Sequence, residues 1–199
     1  MNALPQRQAI SLAFGALAAT LVGISEYMRH GSELTAFTMT ALGFEVLFGS
    51  LTVAGSLMAF AKLQELIRGT PVTFKGQNIF NVTLFVVTIG IFIYLVVGAN
   101  SAVLFYGMVG LAFLFGILLV LPIGAADMPV VMSLMNSYAG LASAATGFAL
   151  KNNVLIIAGT LDGFSGFILS ILMCKAMNRS ITNVLFGAFG AQAESETQI

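Results

Sequence analysis

The chain has no tryptophan, one cysteine, one histidine, four prolines and only sixteen Asp, Glu, Lys or Arg among 199 residues. Each scarcity excludes something. A single cysteine, Cys174, excludes an internal disulfide framework. One histidine and one cysteine leave no metal-spaced His/Cys cluster, and no Gly-rich phosphate loop or nucleophile triad is present either. Without tryptophan, any aromatic belt at a membrane surface must use Tyr and Phe. A formal net charge of zero gives no electrostatic reason to expect a nucleic-acid partner. Most telling is the scarcity of charge, 8% of residues where a soluble domain carries about 25%.

In its place the chain has 58% hydrophobic residues and 21 glycines, with a mean hydropathy of +0.99. This composition indicates an integral membrane protein, and the glycines suit helices packed closely in lipid. The opening, Met1 to Gln8, does not read as a signal peptide, because the apolar run after it is too long and lacks a small-residue cleavage pattern.

Six runs are long enough to cross a hydrocarbon core, which takes about 20 residues of helix. They cover about Gln8–Met28, Ala36–Leu66, Ile79–Val97, Ala102–Leu121, Met128–Leu150 and Val154–Ala176. A transmembrane β-barrel would show alternating strands of about 10 residues; these runs are continuous and longer. The expected fold is therefore all-α, a polytopic membrane helix bundle with six transmembrane helices over residues 1–190. Residues 191–199 read as a polar tail or the start of a linker. The second run is overlong and invites a tilt. Pro5 suits a helix start, as does Pro129 in the first turn of the fifth run, with Asp127 as its expected N-cap. A polar linker from Arg68 to Asn78 contains the breakers Gly69-Thr70-Pro71 and Lys75-Gly76.

Loop charge predicts the orientation. If the N-terminus is inside, Arg7, Lys62, Arg68, Lys75, Lys175 and Arg179 lie on the inner side, and only Arg29 and Lys151 on the outer. Six against two places both termini on the cytoplasmic or matrix side.

The third and fourth runs carry no ionisable group except tyrosine and read as lipid-facing periphery. The others carry polar or small stripes at helical spacing: Thr38, Glu45, Gly49, Thr52 and Ser56 on the second; Ser133, Asn136, Gly140, Ser143 and Gly147 on the fifth; Gly159, Gly163, Gly166 and Ser170 on the sixth, with Asp162 at the edge. These stripes predict that the second, fifth and sixth helices converge, with the first alongside through Ser11, Gly15 and Ala19. Gly140, Gly159, Gly163 and Gly166 are the expected packing positions.

Glu45 and Asp162 are the sharpest chemical signals. An acid at mid-membrane costs roughly 2.5–3.5 kcal/mol on insertion scales, so it marks a polar interior or a proton path. The bland readings are a protonated packing residue for Glu45 and a structural pair with a neighbouring Asn or Thr for Asp162. Asn136 cannot carry a proton, but its amide both donates and accepts and can orient water; interhelical glue is the plainer reading. His30, in Arg29-His30-Gly31-Ser32-Glu33, reads as a solvated histidine at a helix end. Lys175 and Arg179 read as positive-inside anchors.

From Gly124-Ala125-Ala126-Asp127-Met128-Pro129-Val130-Val131 through Asn136-Ser137-Tyr138-Ala139-Gly140 the sequence resembles the membrane domain of the proton-translocating NAD(P) transhydrogenase beta subunit. So do Ala145-Thr146-Gly147-Phe148, Lys151 to Ile156, Met173-Cys174-Lys175-Ala176-Met177-Asn178-Arg179-Ser180 and, upstream, Gly55 to Gln64. The resemblance implies a membrane domain that conducts protons while hydride passes between NADH and NADP in partner domains. It implies no cofactor bound by this chain. NAD(H) and NADP(H) would sit in NAD-binding and NADP-binding domains, joined by the remaining membrane helices in a dimer of the assembly, in a bacterial or mitochondrial inner membrane. It places Asn136 and, with it, Ser133 on a proton-path helix. Asp127, Lys175 and Arg179 fall where the membrane domain meets the NADP-binding domain.

Two departures from the family pattern stand out. Helices expected before the first run, and the NADP-binding domain after Gly190, are not in this sequence, so it reads as a fragment or a piece of a split subunit. The membrane histidine of some members falls at Thr38, which cannot titrate, and this leaves Glu45, about two turns on along the same face, or a histidine on a partner subunit as the candidate proton carrier. A wet cavity among the second, fifth and sixth helices, with Asn136 orienting water, is the expected route. A small secondary transporter or other ion-coupled membrane subunit is the alternative. A purely structural subunit would have little use for acids inside the membrane.

Overall fold

The computed structural model describes residues 4–30, 34–98 and 101–178. They form six long helices: α1 (Leu4–His30), α2 (Ala36–Leu63), α3 (Gln77–Val96), α4 (Ala102–Val120), α5 (Met128–Ala149) and α6 (Asn153–Ala176), with one 3-10 turn at Ala125–Asp127. No strand occurs among the described residues. The chain is an all-helical, multi-pass membrane bundle. All helices except α5 are long and apolar enough to cross a membrane. Ser133, Asn136, Ser137, Ser143 and Thr146 interrupt α5, but its 22 residues rise about 33 Å and it packs along α6 for most of that length. Arg179 and the stretch from Ser180 to Gly190 lie outside the described residues, as does the boundary near residue 191.

The helix ends follow local chemistry. Thr35 is extended and its hydroxyl accepts from the Thr38 amide, which starts α2. Asn152 caps α6 by accepting from the Val154 and Leu155 amides at 3.1 and 3.2 Å. The expected cap at Asp127 does not form. Asp127 occupies the N-cap position, but it ends the 3-10 turn with helical dihedrals and its side chain caps nothing. An N-cap needs extended backbone to aim its side chain at the first free amides. The second helix is also shorter than predicted, because Glu65 turns left-handed (φ 58°) and the Leu66 amide bonds back to the Ala61 carbonyl.

The helices form an antiparallel run in which α2 is central. Among the described residues, α2 packs against α1, α4 and α5, and α6 rests on the far side of α5. The expected convergence of the second, fifth and sixth helices is therefore corrected: α5 separates α2 from α6. The face of α1 is corrected as well. Ser11 and Gly15 are exposed, and the buried stripe is Ala9, Ala13, Ala16, Thr20, Gly23 and Tyr27. Small residues occur on more than one face of α1, and only the neighbouring surface decides which face is covered. α3 is peripheral, but α4 is not wholly so. Its Gly116 sits on the Leu51 carbonyl of α2, where a Cβ would collide with backbone.

One packing feature overturns a loop assignment. Lys62 reads from the sequence as an inner-loop charge, but it is 1% exposed. Its ammonium donates to the carbonyls of Val120, Leu121 and Ile123 at 3.2, 2.5 and 2.8 Å. These carbonyls end α4, where partial negative charge accumulates and intrahelical donors run out. The Ala125 amide bonds the Gly69 carbonyl, and the Val72 amide bonds that of Leu121. The α2–α3 linker and the α4–α5 turn are thus tied through one lysine. Lys62→Met is expected to lower stability by about 2–4 kcal/mol, because three carbonyls lose a charged donor. Thermal unfolding in detergent would show this, and an unchanged melting temperature would refute it.

Candidate functional site

Polar side chains gather at three places along the bundle. The first lies in α2, where Glu45 is 0% exposed and neither carboxyl oxygen has a hydrogen-bond partner. Its carboxyl lies against Gly23 of α1. A Cβ built on Gly23 would come within 3.0 Å of the carboxyl carbon and 3.2 Å of Oε1. From α5 it meets Thr146, whose hydroxyl donates to the Ala142 carbonyl at 3.0 Å and so is already committed. From α1 the charged neighbour is Glu26. An ionised carboxylate in such a place is costly unless compensated, so Glu45 is not explained by packing alone. Thr38 is only half-buried, near the start of the same helix.

The second place lies between α5 and α6. Asn136 Nδ2 donates to Asp162 Oδ1 at 3.2 Å. Ser133 donates to the Gly166 carbonyl at 2.9 Å, and Ser170 to the same carbonyl at 3.0 Å. An open groove of about 450 Å³ beside them is lined by Gln8, Ser133, Asn136, Ser165 and Gly166, with apolar residues further along α6. Asp162 is exposed on the outer side of α6, not at an inner junction. The pair exists because glycines bring the helices together. A Cβ on Gly159 would strike the Ala144 backbone nitrogen, and one on Gly163 would lie 3.2 Å from the Ser137 carbonyl oxygen. Gly166 faces the Ser137 amide in the same way.

The third place is the bundle end where α2 and α4 finish. Half-buried Asp127 interacts electrostatically with Cys174, and exposed Lys175 follows in the last turn of α6. The buried ammonium of Lys62 holds the α4–α5 turn that leads to Asp127. Asp127 and Lys175 therefore share one end of the molecule, and Glu45 stands apart from Asn136 across α5. Among the described residues α5 lies between α2 and α6, and the groove beside Asn136 is not lined by α2. The described residues contain no group of three or more His, Cys, Asp or Glu side chains placed to hold a metal ion.

At the opposite end lies a contact that residue-by-residue reading passed over. His30 Nδ1 is 3.0 Å from Glu26 Oε1, an i, i+4 pair in the last turn of α1. The spacing was visible in the sequence. Its meaning was not, since nothing in a linear reading joins α1 to Glu45.

A family model described as NAD(P) transhydrogenase beta subunit matches residues 1–199. NAD(P) transhydrogenase subunit beta of Rhodospirillum rubrum is 41% identical over 199 residues, covering 96% of this chain and 43% of that protein. The same subunit from a defined strain of that organism matches equally. The chain thus spans less than half the length of these relatives.

Proposed function

The chain belongs to the NAD(P) transhydrogenase beta subunit family, and from that premise we propose that it is the proton-translocating part of such an enzyme. In this reading, proton movement through the bundle is coupled to hydride transfer between NADH and NADP⁺. The nucleotides bind in NAD-binding and NADP-binding partner domains. Further membrane helices complete the assembly, which works as a dimer, and both termini face the cytoplasm or matrix.

The observation that carries the proposal is Glu45, a wholly buried, unpartnered carboxyl about ten residues into a membrane helix. Such groups are rare in lipid-embedded helices and mark ion or proton routes. Glu45 holds the proton, and Asn136 does not. Asn136 uses its amide to fix the Asp162 carboxylate and to orient water in the groove beside Ser133. The end bearing Asp127 and Lys175 meets the NADP-binding domain, whose state opens one half of the route at a time. Arg179, beyond the described residues, belongs to the same contact. The bound nucleotides supply the hydride chemistry; this chain supplies the route and its gating.

Asn136→Leu tests the gate. It removes one 3.2 Å hydrogen bond from a half-buried position, so folding should survive. Proton pumping by the assembled enzyme in membrane vesicles is expected to fall by about 100-fold, the lower range for loss of a group that positions a transferred proton. Full pumping by the variant would refute the gate. A secondary transporter is less well supported, since that class uses helices broken at mid-membrane and the described helices run unbroken.

A further inference from the structure

Glu26 and His30 have no part in the route described so far, although both are acid–base groups on the helix whose Gly23 lies against the Glu45 carboxyl. His30 closes α1 with its side chain about half exposed, whereas that of Glu26, one turn deeper, is 19% exposed. Their contact of 3.0 Å joins Nδ1 to Oε1. A further turn in is Gly23, whose missing side chain leaves a notch that the Val46 side chain and the Glu45 carboxyl share. His30, Glu26 and Gly23 are spaced four and three residues apart, so they lie on one face of α1. Exposure falls along this row from the half-exposed His30 to the wholly buried Glu45.

We propose that His30 and Glu26 form the outer half of the proton route, a side-chain relay that delivers protons from the α1–α2 end of the bundle to Glu45. The inference rests on the reading of this chain as a proton conductor and adds the entry that reading lacks.

The neighbours of Glu45 favour this direction. From α5 the Thr146 hydroxyl, already donating to the Ala142 carbonyl, meets Glu45. α3 reaches the preceding turn of α2 through the ring of Phe92 against Gly43. α4 meets α2 further along, where Gly116 faces Leu51 and Ala54. Glu26, from α1, is the charged group facing Glu45. Among the described residues, the same end of the bundle also carries Arg29, next to His30, and Lys151, in the α5–α6 turn.

The transfer balances without any redox partner. Hydronium at the mouth gives a proton to His30 Nε2 and becomes water as the Nδ1 proton passes to the Glu26 carboxylate at Oε1, and the ring resets by reorienting. Glu26 then releases that proton through one bridging water to the ionised Glu45, whose carboxyl lies at Gly23, three residues and a rise of about 4.5 Å deeper along α1; Glu26 returns to carboxylate and Glu45 becomes the neutral acid. A salt bridge that only stabilised the end of α1 would need neither the notch at Gly23 nor a second acid behind it.

The test uses the complete transhydrogenase assembly in sealed vesicles, with Glu26→Gln, Glu26→Asp, His30→Gln and Glu45→Gln compared for coupled proton pumping. Glu45→Gln is expected to stop coupled pumping, and Glu26→Gln to slow it by about 100-fold, the lower range for loss of a proton-transferring group. His30→Gln should slow it less. Glu26→Asp, which keeps the carboxyl, should recover most of the rate. If Glu45→Gln stops pumping while Glu26→Gln and His30→Gln keep the native rate, the relay is overturned and the role of Glu45 stands. If Glu45→Gln pumps normally, the proposed function of Glu45 falls and the relay with it. If Glu26→Asp is as defective as Glu26→Gln, Glu26 acts through packing and the relay is overturned.

Discussion

Replacing Gly140 with leucine is expected to abolish the docking of α5 on α6. A Cβ at this position would fall on the Gly163 backbone nitrogen, 2.5 Å from the Gly163 Cα and 2.9 Å from the Gly159 carbonyl oxygen. All three obstacles are backbone, so no rotamer change relieves them and the helices must separate. Overpacking a close interface costs roughly 1–3 kcal/mol where side chains can yield; here the cost should be at the top of that range or above it. Separation would also break the Asn136–Asp162 and Ser133–Gly166 hydrogen bonds. The measurable outcome is loss of folded protein in detergent, with pumping lost as well. Gly90→Ala in α3 is the control, because a Cβ there meets nothing within 4 Å. It should leave stability level or raise it by about 0.5–1 kcal/mol. If Gly140→Leu and Gly90→Ala behaved alike, close approach of α5 and α6 would not be what these glycines provide.

The second large effect has two halves of opposite sign. Glu45→Met should make the protein more stable and at the same time unable to pump. Methionine has similar length and fills irregular apolar space. It removes a wholly buried carboxyl that has no hydrogen-bond partner, a group whose desolvation costs about 1–3 kcal/mol or more. A rise in melting temperature of the assembled enzyme with loss of coupled pumping would mark Glu45 as a group kept for function at the expense of stability. A fall in melting temperature would show that the carboxyl contributes to packing. Retained pumping would remove it from the proton route.

How much of this was legible in the sequence depends on the kind of information required. Helix positions followed from runs of apolar residues, and α3, α4 and α6 fell within one or two residues of their expected bounds. The burial of Glu45 followed from its depth in α2 and the small residues sharing its face. The glycine stripes of α5 and α6 were visible as spacing, and backbone contact between the two helices accounts for them.

Other features were not legible, for specific reasons. Asp127 has the residue type and position of an N-cap, but a 3-10 turn sets its dihedrals, and that turn follows from how the Gly69 carbonyl holds Ala125. Lys62 stands near a helix end like any positive-inside charge. What buries it is the end of α4, 58 to 61 residues away in sequence. Asp162 sits at the edge of a stripe, and nothing local tells that its side chain emerges on the outer surface beside Asn136.

The amino-acid sequence by itself determined a membrane bundle of long helices, the family, and the few polar residues inside it. In lipid every backbone group must be satisfied within its own helix, so apolar length alone dictates the elements. Only the tertiary structure decided which helix covers which face: that α5 parts α2 from α6, that Gly23 makes room for Val46 and Glu45, and that α1 brings Glu26 to bear on Glu45. Helical periodicity specifies a face but not its partner. Partners are chosen by close packing between surfaces far apart in the chain.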